Sequence, residues 1–80
     1  MNVKELAREL LVHNPQICSK EKAIVHSQEE KGAQNIWVTR ERINNRNEYL
    51  ALANGKFCTA IFNIFTGYFY ADDIYGEIKP

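Results

Sequence analysis

Tyr49-Leu50-Ala51-Leu52-Ala53-Asn54-Gly55-Lys56-Phe57-Cys58-Thr59-Ala60-Ile61-Phe62 is the stretch whose reading decides the fold. Asn-Gly between two β-prone runs is the strongest short-range signal for a two-residue hairpin. Its register pairs Ala53 with Lys56, Leu52 with Phe57, Ala51 with Cys58, Leu50 with Thr59 and Tyr49 with Ala60. Paired residues share a face of the sheet. One face then carries Leu50, Leu52, Phe57, Thr59 and Ile61, and the other carries Tyr49, Ala51, Ala53, Cys58, Ala60 and Phe62. Neither face is polar, whereas a sheet with one wet side alternates apolar and polar residues.

Upstream, Asn2 and Glu5 have capping-box spacing, and Val3, Leu6, Ala7, Leu10 and Leu11 form one apolar stripe at helical period. Asn14 before Pro15 ends that helix near His13. Ser19 reads as the N-cap of a second helix and Gly32 as its stop. Past Gly32 the period becomes 2, with Ile36-Trp37-Val38-Thr39 the most strand-like run. Asn44-Asn45-Arg46-Asn47 and Thr66-Gly67 are turn chemistry. The expected architecture is α+β, one domain over 1–80. Two N-terminal helices, about 2–13 and 19–31, pack on one face of an antiparallel meander with strands about 35–43, 48–53, 56–63 and 67–72. Helices cover one face, so the other is expected to present Tyr49, Ala51 and Phe62 to a partner or to a second copy in a homodimer. The alternative is that Ile74-Tyr75-Gly76-Glu77-Ile78 folds back over it.

Ten basic and ten acidic residues give zero net charge. The basic residues concentrate in the middle of the chain, at Lys31, Arg40, Arg42, Arg46 and Lys56. A duplex-DNA binder takes much of its affinity from phosphate neutralisation and is usually clearly basic, which this chain is not. Arg40, Arg42, Arg46 and Lys56, with Trp37 and Tyr49 nearby, could still form a stripe for single-stranded nucleic acid. The other reading of the two strand arginines is a solvated edge that discourages pairing.

Cys18 and Cys58 stand far apart with no zinc-ligand spacing, and Cys58 lies in an apolar run that suits a buried, inert thiol. The N-terminus reads as a charged helix and not as a leader, and no stretch has the length of a membrane span. A cytoplasmic protein with reduced thiols and no membrane partner is expected.

Little here suggests catalysis. His13, at the end of the first helix, suits the helix dipole, and His26 reads as a solvated helix residue. No nucleophile motif surrounds them. Asp72-Asp73, with Glu77 beyond, reads as a turn, or else as an acidic docking patch. No enzyme activity, cofactor or metal is expected. Tyr68, Tyr70 and Tyr75 join Tyr49, Phe62, Asp72 and Asp73 as candidate partner-binding residues, since tyrosine gives rigid area with a hydrogen bond at interfaces.

The segment from Cys58 to Gly76, with Thr66-Gly67-Tyr68-Phe69-Tyr70-Ala71-Asp72-Asp73 at its heart, looks like the closing hairpin of small phage- and plasmid-encoded proteins. The whole chain resembles the anti-CRISPR proteins in its small size, its compact composition and its lack of a catalytic signature. That resemblance implies a non-enzymatic inhibitor that blocks a bacterial defence or host complex, protein or ribonucleoprotein, by surface docking. The balanced charge departs from the strongly acidic, nucleic-acid-mimicking members and favours docking by shape. A small nucleic-acid-binding accessory protein is the alternative.

Overall fold

The computed structural model describes residues 2–26 and 31–71, the side chains of Val25, His26 and Lys31 excepted. Among the described residues, α1 (Val3–Leu11) precedes five strands: β1 (Cys18–His26), β2 (Lys31–Arg42), β3 (Glu48–Ala53), β4 (Lys56–Phe62) and β5 (Phe69–Ala71). The strands close into a barrel in chain order. Neighbours along the chain are antiparallel, and β5 meets β1 in parallel through Ala23–Phe69, Ile24–Tyr70 and Val25–Ala71. An up-and-down sheet of five strands points its first and last strands the same way, so its seam must be parallel.

This closure overturns the expected pair of helices on an open meander. Among the described residues, the segment expected to be a helix over 19–31 is instead β1 and the first residue of β2, with nine paired positions running from Cys18–Thr39 to His26–Lys31. Lysine and glutamate favour helices only weakly, and tertiary pairing overrides such preferences. The period-2 pattern is present: Lys20 and Lys22 are exposed, while Ser19, Glu21 and Ala23 lie deeper. Gly32, expected to stop a helix, lies opposite Val25 in this hairpin with φ +117°, a conformation that L side chains rarely adopt. His26 therefore belongs to a strand.

The Asn54-Gly55 hairpin has the register read from the sequence, extended by Glu48–Ile61. Asn54 and Gly55 have φ 51° and 78°, the left-handed pair that a type I′ turn requires. Its two apolar faces both find cover. Ala51, Ala53, Cys58 and Ala60 point into the barrel, where they join Ala23, Ile36, Val38, Phe69 and Ala71 in one buried cluster. Leu50 and Leu52 point outward and pack beneath Leu6, Ala7 and Leu10 of α1, with Trp37 and Phe57 at the margin. The face expected to meet a partner or a second copy is thus the lumen. Barrel width grows with strand number, so a five-stranded lumen is narrow and holds mostly small side chains, which explains five alanines and a cysteine there.

Asn2 caps α1 by accepting from the Glu5 N–H at 2.9 Å. Burying Leu6 and Leu10 contributes roughly 1.5–3 kcal/mol each, more than the cap's ~1 kcal/mol. The helix ends in a Schellman motif, with Asn14 N–H donating to Glu9 C=O and His13 N–H to Leu10 C=O. His13 takes the left-handed position at φ 53° that glycine usually fills.

Between Val38 and Arg42 the β2–β3 register shifts in a bulge. The buried Thr39 hydroxyl donates to the Glu41 carbonyl at 2.9 Å, with the Leu50 carbonyl 3.3 Å away. Bulges bend a strand and raise its twist, which a narrow barrel needs.

Candidate docking site at the β4–β5 turn

Five residues, Asn63-Ile64-Phe65-Thr66-Gly67, carry the chain from β4 towards β5. The Asn63 Oδ1 accepts from the N–H groups of Phe65 at 2.8 Å and Thr66 at 3.1 Å. Gly67 N–H donates to the Asn63 carbonyl at 2.8 Å, and Asn63 N–H donates to the Tyr68 carbonyl at 2.9 Å. The Thr66 hydroxyl accepts from Tyr68 N–H at 3.3 Å and from the Tyr70 hydroxyl at 3.2 Å. Gly67 sits at φ 76°, which only glycine adopts freely.

What this hydrogen-bonded frame presents is apolar. Phe65 is 92% exposed and Ile64 77%, with Ile61 and Phe62 at 38% each. Ile61, Phe62, Asn63, Ile64, Phe65 and Tyr70 line an open hollow of about 380 Å³. Full burial of an isoleucine or phenylalanine is worth roughly 1.5–3 kcal/mol, so this turn forgoes several kcal/mol by facing water. Contiguous exposed apolar side chains of this kind mark interaction surfaces.

A second concavity adjoins the first through Phe62. At the barrel mouth, Ser19, Glu21, Thr39, Arg40, Tyr49, Phe62 and Phe69 line a pocket of about 340 Å³. The Tyr49 ring meets Phe69 edge-on, at 90° with centroids 5.4 Å apart, and Phe62 lies 5.1 Å from Phe69, inclined by 58°. Glu21 points to the same side of β1 as Ala23 and is half-buried.

The structure brings some of the residues expected to act together into contact with one surface and sets others apart. Tyr49 and Phe62 stand at the mouth, and Phe62 also lines the hollow of the turn with Tyr70, which lies opposite Ile61. Tyr68 is half-buried, with the Lys22 ammonium 5.6 Å from its ring centroid. Asp72, Asp73 and Tyr75, with the tail segment 74–78, lie outside the described residues. Arg40 donates to the Pro15 carbonyl at 3.3 Å, and Arg42 to the Asn47 carboxamide at 2.7 Å. The bulge interrupts the alternation that would set these two arginines on one face. Arg46 is exposed in the turn after β2, where its N–H donates to Asn44 Oδ1 at 2.8 Å. Lys56, opposite Ala53, stands at the other end of β3 from the Arg42–Tyr49 pair. The four basic residues do not form one stripe.

Sequence reasoning passed over Ile64 and Phe65. The available signal was two large apolar side chains between Asn63 and Thr66-Gly67, where turns are usually polar. It also passed over Glu21, Lys20 and Lys22, because their segment has the composition of a helix.

Both thiols are buried and free. Burial pushes the Cys58 thiol up to about 11. Burial also raises Cys18, reinforced by the Glu9 carboxylate and opposed by Arg40. Neither resembles a nucleophile, which needs a lowered pKa. Among the described residues, no three His, Cys, Asp or Glu side chains gather as a metal site, and no helix is long and apolar enough to cross a membrane.

No known protein family matches the chain, and neither a curated protein nor a solved structure matches it. The geometry of the turn and the mouth therefore carries the functional argument.

Proposed function

We propose that this protein is a non-enzymatic binding module that docks onto a protein surface, or the protein part of a ribonucleoprotein, through the β4–β5 turn. The observation that supports this reading is Phe65, 92% exposed beside Ile64 on a turn whose backbone is held by Asn63, Thr66 and Gly67. A rigid apolar projection loses little conformational entropy on binding, and a buried aromatic anchor is the usual centre of an interface. A stoichiometric inhibitor of a bacterial complex is the form of this function that the resemblance to the anti-CRISPR proteins implies, and the balanced charge favours docking by shape over nucleic-acid mimicry.

A second reading rests on β1. Lys20 lies over the Trp37 ring at 5.8 Å and Lys22 over the Tyr68 ring at 5.6 Å, an aromatic and basic row that could stack and hold single-stranded nucleic acid.

Capture from a bacterial lysate separates the two. The first reading expects a protein retained in stoichiometric amount by the wild type and by Lys20→Glu/Lys22→Glu, and lost by Phe65→Asp. A gel shift that weakens steeply with salt and disappears in Lys20→Glu/Lys22→Glu would replace it with the second.

A further inference from the structure

We propose that Asn54 is a site of spontaneous deamidation, and that the folded hairpin holds the reaction back by tethering its carboxamide to Gln34. In this reaction the main-chain nitrogen of the following residue attacks the asparagine Cγ. The N–Cγ bond forms, the Cγ–Nδ2 bond breaks, and Nδ2 leaves as ammonia with the proton of the peptide N–H. Water then opens the five-membered succinimide at either carbonyl, giving aspartate or its β-linked isomer, isoaspartate. Asn54 is the asparagine of this chain that glycine follows. Glycine has no side chain to shield its nitrogen, and a Cβ at Gly55 would meet nothing within 4 Å. Both residues are exposed, so water reaches the turn.

What the fold adds is restraint. Asn54 donates from Nδ2 to Gln34 Oε1 at 3.2 Å, which draws its carboxamide towards β2. The main chain is held as well, at φ 51° and 78°, in the turn that the Ala53–Lys56 pair closes. Intramolecular attack needs the reacting atoms close and their orbitals aligned. A carboxamide held by Gln34 reaches the Gly55 nitrogen only when that hydrogen bond breaks and the turn opens, and local opening costs free energy. The nitrogen that donates to Gln34 is also the one that must depart.

The two products affect the barrel differently. Aspartate tolerates the left-handed conformation as asparagine does and suits a type I′ turn, and it adds one negative charge to a chain of zero net charge. Isoaspartate routes the main chain through Cβ and so inserts a methylene into a two-residue turn. The register that turn sets places Leu50 and Leu52 against α1 and Ala51 and Ala53 in the lumen. Asn54 lies at the far end of β4 from the β4–β5 turn, so this inference is independent of the docking function.

The test incubates the full chain at mildly alkaline pH, folded or in urea, and follows it by peptide mass spectrometry that separates aspartate from isoaspartate. Beside the wild type stand Gln34→Ala, which removes the acceptor, and Gln34→Glu, which keeps an oxygen there. The proposal expects conversion at Asn54 ahead of every other asparagine, slower by about tenfold or more in the folded wild type than in urea. Gln34→Ala should react several-fold faster at an unchanged melting temperature, and Gln34→Glu should react at the wild-type rate. Conversion led by another asparagine overturns the site, and equal rates with and without urea overturn the restraint. A Gln34→Ala chain that reacts no faster than wild type overturns the tether, as does a Gln34→Glu chain that reacts as fast as Gln34→Ala.

Discussion

His13 lies flat on Trp37, with ring centroids 4.3 Å apart and planes 8° from parallel. The contact ties the end of α1 to the outer wall of β2, and it fills with an imidazole a left-handed position, φ 53°, that glycine would occupy without strain. A non-glycine residue there costs roughly 1 kcal/mol, and an aromatic stack returns about 0.5–1.5 kcal/mol. His13→Ala keeps the strain and loses the stack, so urea denaturation should show it destabilised by about 1 kcal/mol. His13→Gly loses the stack but relaxes the backbone and should lie within about 0.5 kcal/mol of wild type. An alanine variant as stable as wild type would deny the stack any energetic role.

The lumen offers a sharper test of the architecture. Ala51 and Ala60 are fully buried inside the barrel. Ala60→Leu should cost about 1–3 kcal/mol through overpacking, and Ala51→Leu should behave alike. On an open sheet whose second face met solvent, either change would be close to neutral. Chemical denaturation with an unchanged m-value decides between these outcomes.

Cys58 sets a pH dependence whose sign can be worked out. Its ordinary value is 9.0 and burial raises it to about 11 in the folded chain. Below pH 9 the thiol is protonated in both states, so its contribution is fully present. Between pH 9 and 11 only the unfolded chain releases the proton, and stability falls as pH rises. The loss reaches about 2–3 kcal/mol, at roughly 1.4 kcal/mol per unit. Tyrosines titrate in the same range, so the readout is the wild-type curve minus that of Cys58→Ala. A difference that stays flat from about pH 8 to 11 would contradict the burial of this thiol. Native-state alkylation of Cys58 should likewise require unfolding.

Part of this structure is legible in the chain alone. The hairpin register follows from Asn54-Gly55, because a two-residue turn leaves no freedom in pairing. That register also shows two apolar faces. It cannot show that the second face closes on itself, since closure depends on β1 and β5 reaching each other from opposite ends of the chain. The sequence of β1 misleads, because Ser19-Lys20-Glu21-Lys22 combines a helix-capping residue with helix-forming ones, and only Ala23-Ile24-Val25 signals a strand. The site is hidden for the same reason. Glu21 enters the mouth only once its segment is a strand, while Ile64 and Phe65 stand in a turn whose Thr66-Gly67 signals its geometry and not what it displays.

The charge distribution yields a further expectation. Arg42, bonded to Asn47, and Arg40, bonded to the Pro15 carbonyl, act on the loops beside them. Arg42→Gln should loosen the 43–47 turn, and hydrogen exchange at Arg46 N–H, now held by Asn44, should quicken. A partner-binding defect in Arg42→Gln without faster exchange would assign the arginine to the interface instead.

One variant, measured twice, tests docking through the β4–β5 turn most directly. Phe65→Asp should unfold within about 0.5 kcal/mol of wild type, because its side chain is 92% exposed and packs into no core. The same variant should bind the captured partner at least about thirtyfold more weakly in calorimetry, the loss expected of an interface anchor. A protein that keeps its affinity, or one that loses it only by unfolding, would contradict docking through this turn.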